Sequence, residues 1–258
     1  MSYEIVSAAD HEQLFWNHVN QDPVDYYFFF LDWTKNRQET QILLALKEGV
    51  VSGLALIYAN HVVQFRGSRY AVKKLLDSID VPTADFQVSM NCVDLVESRY
   101  QALAKAEMIL MRVDKGEENV AVEHDVARLL PSDAEEIAET MKRCDPIWWN
   151  ETKAENIRKS LETNLVFGIR QEGKIASFGS AHQTDMSCSN ISVIATHEEF
   201  RNRGYATSVT SYLVREILKS HETAIIHVLR ENAPAVKVYS RVGFKPYKRC
   251  LLMRAKKR

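Results

Sequence analysis

Two short stretches of this chain hold residues whose types and spacing can do chemistry. The first runs from Ile191 to Thr207, where strand-forming residues pass through a polar turn, Arg201-Asn202-Arg203-Gly204, into the start of a helix. Such a junction binds anions, because the first-turn amides of a helix lack partners and point outward with the positive end of its dipole. Gly204 brings no side chain between a diphosphate and the backbone, and Ala206 keeps the next position small. Arg201 and Arg203 add positive charge. The second stretch, Asn232 to Phe244, places Asn232, Ala235, Tyr239 and Gly243 at helical spacing. A tyrosine here offers a phenolic donor for a departing anion. Taken alone, Arg-x-x-Gly-x-Ala is a frequent strand–turn–helix junction, and a lone helical tyrosine reads first as core.

The elements that must position these residues follow from periodicity and turn chemistry. Before residue 114, segments 13–20, 23–33, 70–77 and 93–105 read as helices, and 41–46, 50–59, 62–66, 87–90 and 108–113 as strands. A polar run, Asp114-Lys115-Gly116-Glu117-Glu118-Asn119, then divides the chain. Beyond it, helices are expected near 131–143, 153–162, 204–219 and 233–242, with strands at 126–130, 165–170, 174–182, 188–196, 223–229 and 244–253. Two hairpins share one layout, 43–54 around Glu48-Gly49 and 166–178 around Glu172-Gly173, which hints at an old duplication.

Composition narrows the class. With 258 residues, 46% apolar and 26% charged, the chain is an ordinary globular sequence of one large or two average domains. The formal net charge of −1 is uneven: residues 1–120 hold 11 Lys+Arg against 17 Asp+Glu, and residues 121–258 hold 22 against 17. The second half therefore suits a polyanionic ligand better. Cys92, Cys144, Cys188 and Cys250 are too dispersed for a C-x-x-C site and read as thiols of a reducing compartment, with no metal expected. No stretch reads as a leader or membrane span, which gives a cytoplasmic expectation. No helix clusters Lys and Arg as a nucleic-acid reader would.

The two chemical stretches, in this order and separated by the strand at 223–229, resemble the GNAT superfamily of acyl-CoA-dependent N-acyltransferases over roughly residues 125–253. In that family an Arg/Gln-x-x-Gly-x-Gly/Ala turn holds the CoA pyrophosphate, and an Asn-x-x-Ala-x-x-aliphatic-Tyr-x-x-x-Gly-Phe helix follows one strand later. Every one of these positions is matched here. The resemblance implies an α/β (α+β) fold with a mixed, mostly antiparallel central sheet flanked by helices. It makes residues 119–258 the catalytic domain. Residues 1–118 look like the amino-terminal lobe of bacterial two-lobed acetyltransferases, on Gly53 to Asn60 and Val63 to Ser68. That lobe carries no Arg-x-x-Gly-x-Gly/Ala turn, so it is expected to be a degenerate GNAT-like domain without a cofactor site. Its expected work is to shape the acceptor cleft or to form the contact of a homodimer.

By position, the resemblance implies that backbone groups of Ile194, Ala195 and Thr196 pair with the pantetheine arm. Amides of Arg201, Asn202, Arg203, Gly204, Tyr205, Ala206 and Thr207 would hold the pyrophosphate, Asn232 would touch the cofactor arm, and Tyr239 would stand near the thioester sulfur. A thiol near pKa ~8.5 and a tyrosine near ~10 make full proton transfer uphill by about 2 kcal/mol, so Tyr239 is expected to act mainly as a hydrogen-bond donor. An attacking amine must also lose a proton. Some family members carry a Glu where Asn190 stands here, so His182 and Asp185 become the candidate bases, with His197, Glu198 and Glu199 assigned to the turn. Trp148 and Trp149 are read as pocket wall or core packing. The implied reaction is transfer of an acetyl group from acetyl-CoA to a primary amine, of a small molecule or peptide, by direct attack in a ternary complex. The competing reading is a non-catalytic acyl-CoA-binding regulatory module, which Asn190 favours and Tyr239 opposes.

Overall fold

The computed structural model describes residues 3–258; the polar start of the chain begins with Met1 and Ser2, which lie outside the described residues. Two runs of elements follow one another. The first comprises strand β1 (Tyr3–Ser7), helices α1 (Glu12–Val19) and α2 (Tyr27–Lys35), strands β2 (Thr40–Lys47), β3 (Val50–Tyr58) and β4 (Val62–Gly67), helix α3 (Arg69–Asp77), strand β5 (Thr83–Ser89), helix α4 (Val93–Glu97) and strand β6 (Tyr100–Asp114). The second repeats this order: β7 (Ala127–Arg128), α5 (Ala134–Cys144), α6 (Ala154–Thr163), β8 (Leu165–Gln171), β9 (Lys174–Ala181), β10 (Cys188–Thr196), α7 (Tyr205–Ile217), β11 (Thr223–Leu229), α8 (Ala233–Val242) and β12 (Lys245–Lys257).

The runs match in detail. Both hairpin tips are Glu-Gly pairs in the left-handed region, with φ of 54° and 80° at Glu48 and Gly49 and of 52° and 79° at Glu172 and Gly173. These are the conformations that fit a two-residue turn to the twist of its strands. Each hairpin also shifts register at the same place, between Ala45 and Leu46 in β2 and between Ile169 and Arg170 in β8, three and two residues before the turn glutamate. Each run contains one parallel pair, β4 with β5 and β10 with β11, and its other registered pairs are antiparallel.

The chain forms two compact units. One comprises Met1–Leu110 with Leu229–Glu231 and Lys248–Arg258; the other comprises Met111–Val228 with Asn232–Tyr247. In the first, the strand order is β1-β2-β3-β4-β5-β12. Phe15, Phe29, Trp33 and Leu56 form a core with α1 and α2, and Phe65, Leu75, Phe86 and Tyr100 form a second core with α3. The antiparallel partner of β5 is β12, from Cys250 opposite Ser89 to Lys256 opposite Thr83, with Met253 and Ala255 fully buried. A division at residue 118, drawn from sequence, does not anticipate this return of the C-terminal strand.

In the second unit the order is β11-β10-β9-β8-β7. Helices α5 and α6 pack Ile137, Met141 and Leu161 on Val166, Ile175 and Phe178. The polar run after β6 is ordered against this unit: Asn119 N–H donates to the Val242 carbonyl at the end of α8, and Ala121 and Glu123 N–H donate to the Ser211 and Ser208 hydroxyls on α7. Among the described residues, no helix is long and apolar enough to cross a membrane.

Three elements depart from expectation. The strand β1 had no signal in so short a run. Helix α2 starts at Tyr27 rather than at Pro23, after a turn. Residues 93–105, rich in Ala, Leu and Lys, read as one helix, but the helix stops at Glu97 and β6 begins at Tyr100. Strand pairing there overrides an intrinsic helix preference.

Candidate functional site

The site grows from the parallel pair of the second unit. Strands β10 and β11 pair only from Cys188 opposite Thr223 to Ile191 opposite Ile226. Beyond that point β10 continues to Thr196 and β11 to Leu229 without a mutual register. The cause lies in β10, whose register with β9 shifts between Ile191 and Val193. A bulge bends its strand and increases the local twist, and here it turns β10 away from its parallel neighbour. Past the bulge, Ile194, Ala195 and Thr196 keep β9 as their partner, opposite Gly179, Phe178 and Ser177. Their other edge is a strand edge of the kind an extended ligand can join. Two of the carbonyls have side-chain donors, Ser177 to Ala195 at 3.0 Å and Arg201 Nε to Thr196 at 3.4 Å.

After β10 the chain makes a 3-10 turn, Glu198–Phe200, capped by His197 Nδ1, which accepts from Glu199 N–H at 3.4 Å. His197, Glu198 and Glu199 thus belong to the turn. The Arg201 amide closes it on the Glu198 carbonyl at 3.3 Å. From there, among the described residues, the amides of Asn202, Arg203, Gly204, Tyr205, Ala206 and Thr207 have no acceptor, and no side chain caps α7. Six consecutive donors at the mouth of a thirteen-residue helix are an anion cradle without an anion's substitute. The curvature comes from Asn202 and Gly204 at φ of 63° and 81°. At Gly204 a side chain would be strained by conformation and would meet the His124 ring at 3.2 Å. Arg201 and Arg203 are exposed and are not ion-paired with any described carboxylate. The His124 ring, hydrogen-bonded to Ser208 at 2.9 Å and edge-on to Tyr205 at 4.6 Å, covers one side of the turn.

Helix α8 carries the other half. Asn232 is its N-cap, accepting from Ala235 N–H at 3.2 Å, which leaves its amide NH2 for other partners. Tyr239 is 5% exposed, packed on Phe244, and its hydroxyl makes no hydrogen bond with any described residue. Burial pushes that hydroxyl above the ordinary tyrosine range, so it stays a neutral donor at every physiological pH.

The candidate bases separate. His182 follows β9 and is partly buried, its N–H bonded to the Asn190 carbonyl. Burial pushes its imidazole down to about 4, so it is neutral at pH 7 but a weak acceptor. Asp185 is exposed in the following bend. Asn190 is 2% exposed, and His227 on β11 lies within 3.4 Å of its side-chain oxygen. Sequence reading passed over His227, although it is the one imidazole in the apolar run of β11. Trp149 packs against the core of α5 and α6, next to Ile137 and Met141.

The corresponding place in the first unit is closed. After the last parallel pair, Gln64 opposite Gln87, only Phe65, Arg66, Gly67 and Ser68 precede α3. The Arg66 guanidinium donates to Gln87 on β5 at 3.1 Å and to Asp25 at 2.8 Å, and Ser68 caps α3 by accepting from Ala71 N–H at 3.3 Å.

A bulged strand splayed from its parallel neighbour, a turn of vacant amides and a following helix with a buried tyrosine together mark a known architecture. The chain has the GNAT fold. Solved structures align with most or nearly all of the chain. A GNAT-family acetyltransferase from Colwellia psychrerythraea aligns with a TM-score of 0.64 at 12% identity, covering 99% of this chain and 100% of that one. A Drosophila protein aligns with a TM-score of 0.77 at 12% identity, covering 98% of each. A tandem GNAT protein from the clavulanic acid biosynthesis pathway, in a structure without AcCoA, aligns with a TM-score of 0.51 at 12% identity, covering 84% and 82%. Residues 166–253, which include both GNAT stretches, match the family model described as FR47-like protein. No curated protein sequence matches the chain significantly.

Proposed function

We propose that the chain is an acetyltransferase that uses acetyl-CoA and delivers the acetyl group to a primary amine of a small molecule or peptide, in the cytoplasm. The observation that carries this reading is the run of six acceptor-less amides at the start of α7, beside the opening between β10 and β11. A diphosphate fits the amides, with Arg201 and Arg203 supplying charge, and an extended pantetheine arm fits the edge at Ile194, Ala195 and Thr196. The Asn232 NH2 supports the arm. Bound acetyl-CoA supplies an activated acyl thioester. Tyr239 donates a hydrogen bond to the sulfur as negative charge develops there, and its buried, neutral hydroxyl suits that task. The first unit, closed at the corresponding place, is read as a related domain that shapes the acceptor cleft or a dimer contact.

The test is calorimetric titration of the whole protein with acetyl-CoA, followed by thiol release in the presence of amines. Expected are binding, weakened by Gly204→Val, and thiol release that depends on an amine. Absence of any affinity for CoA or acetyl-CoA would remove this function. Binding without turnover on any amine would favour the regulatory acyl-CoA-binding module, the reading that Asn190, in the place of a family Glu, supports.

A further inference from the structure

His124 lies on the segment between β6 and β7, outside residues 166–253 that match the family model. Three backbone donors fix that segment on the second unit: Asn119 N–H to the Val242 carbonyl, and Ala121 and Glu123 N–H to the hydroxyls of Ser211 and Ser208. With Glu123 anchored, the next side chain falls over the turn before α7. Its Nδ1 stands 2.9 Å from the Ser208 hydroxyl, its ring packs on Tyr205 at 4.6 Å with the planes 76° apart, and its Cε1 lies 3.2 Å from where a Cβ on Gly204 would stand. In the first unit the glycine before α3 is covered otherwise. A Cβ on Gly67 would meet the Gly53 Cα and the Ser52 carbonyl oxygen, so main chain fills that place. Main chain closes one turn, and an imidazole borders the other.

The serine settles which ring nitrogen carries a hydrogen. Ser208 Oγ accepts from the Glu123 amide, and among the described residues its own hydrogen has no acceptor except His124 Nδ1. A hydroxyl has one hydrogen to give, so it goes to the lone pair of Nδ1. The neutral ring then carries its hydrogen on Nε2, and a protonated ring carries one there as well. Nε2 is bonded to the Cε1 that overlies Gly204 and has no partner among the described residues. It is therefore a donor in both charge states, beside the acceptor-less amides of Asn202 through Thr207. We infer that His124 is a ligand of the diphosphate bound at this turn, donating from Nε2 to a phosphate oxygen, with Ser208 fixing the tautomer and direction of the ring. This rests on the acetyl-CoA reading of the turn. Hydrogen bonds to charged oxygens are among the stronger ones, and their strength depends on aim. The exposed Arg201 and Arg203 supply charge, and His124 supplies direction.

The test combines calorimetric titration of the whole protein with CoA, 3′-dephospho-CoA and inorganic pyrophosphate with nitrogen–proton NMR of the His124 ring, assigned by His124→Phe. In the unliganded parent the ring hydrogen is expected on Nε2, and a neutral ring with its hydrogen on Nδ1 would overturn the inference. His124→Phe keeps a ring on Tyr205 but lacks the donor, and should raise the Kd for CoA about 10-fold. His124→Gln, whose amide nitrogen can stand where Nε2 stands, should recover most of that loss. The same factor is expected with 3′-dephospho-CoA; a loss confined to CoA would put the contact on the 3′-phosphate and overturn the assignment to the diphosphate. Parent-like affinity in His124→Phe would overturn it too. If the parent binds no CoA, the acetyl-CoA reading fails by itself, and the Nε2 signal during titration with inorganic pyrophosphate decides for His124: a saturable shift supports the contact, and an unmoved signal overturns it.

Discussion

At the scale of single residues, the site is governed by burial acting in opposite senses on a donor and an acceptor. Tyr239 is held neutral above its usual range, so Tyr239→Phe removes a donor whose partner gains charge only as the bond breaks. A loss in kcat of about 100-fold is expected, with the acetyl-CoA dissociation constant unchanged in calorimetry. For the same reason, no alkaline fall in rate near pH 10 should trace to Tyr239. His182 is held neutral by being pushed down to about 4. Its folded value lies below the unfolded one of ~6.5, so the unfolded chain binds the proton more readily; its contribution to stability is complete above pH 6.5 and is lost as pH falls through 4. Urea denaturation between pH 7 and 4 should show a shallower loss for His182→Phe than for the parent, and equal slopes would mean that this imidazole is not responsible. The amide turn and Tyr239 were legible because their spacing is fixed by local backbone. The nearness of His227 to Asn190 was not, because it depends on a register between two strands separated by a helix.

At the scale of elements, the same β–turn–α junction has two fates. Before α3, Ser68 supplies the acceptor that the helix start needs, and the turn is short. Before α7, no described side chain does so, and the cost of leaving these donors without an acceptor is accepted at a place where an anion can satisfy them. Gly204→Ala puts a Cβ at φ of 81°, and about 1 kcal/mol of strain or a shifted turn should weaken acetyl-CoA binding about tenfold. A dissociation constant equal to the parent's would show that this turn does not contact the ligand. Helices and strands with strong periodicity around the site were readable in sequence, as were both Glu-Gly tips. The strand part of residues 93–105 was not, because Ala, Leu and Lys favour a helix until a neighbouring strand supplies their backbone partners.

At the scale of the whole molecule, the duplicated order of elements accounts for one hairpin appearing twice, with matching tips and matching bulges. Sequence gave only the hairpin, since the remaining correspondence is carried by topology. The first unit takes its outer strand from the C-terminal end of the chain. Deleting residues 248–258 removes the partner of β5, the buried Met253 and Ala255, and the Lys248 ammonium that holds Asp22 and Asp25 at 2.8 and 2.7 Å. Hydrogen exchange should then show β5, slow in the parent, becoming fast. Continued protection of Thr83–Ser89 would show that the first unit is complete without β12.

Because the β5 partner is encoded after every other element of the second run, the first unit is also a clock. On the ribosome its early strands emerge with one edge still waiting, and the portion translated first reaches its native state only after the second run has been made.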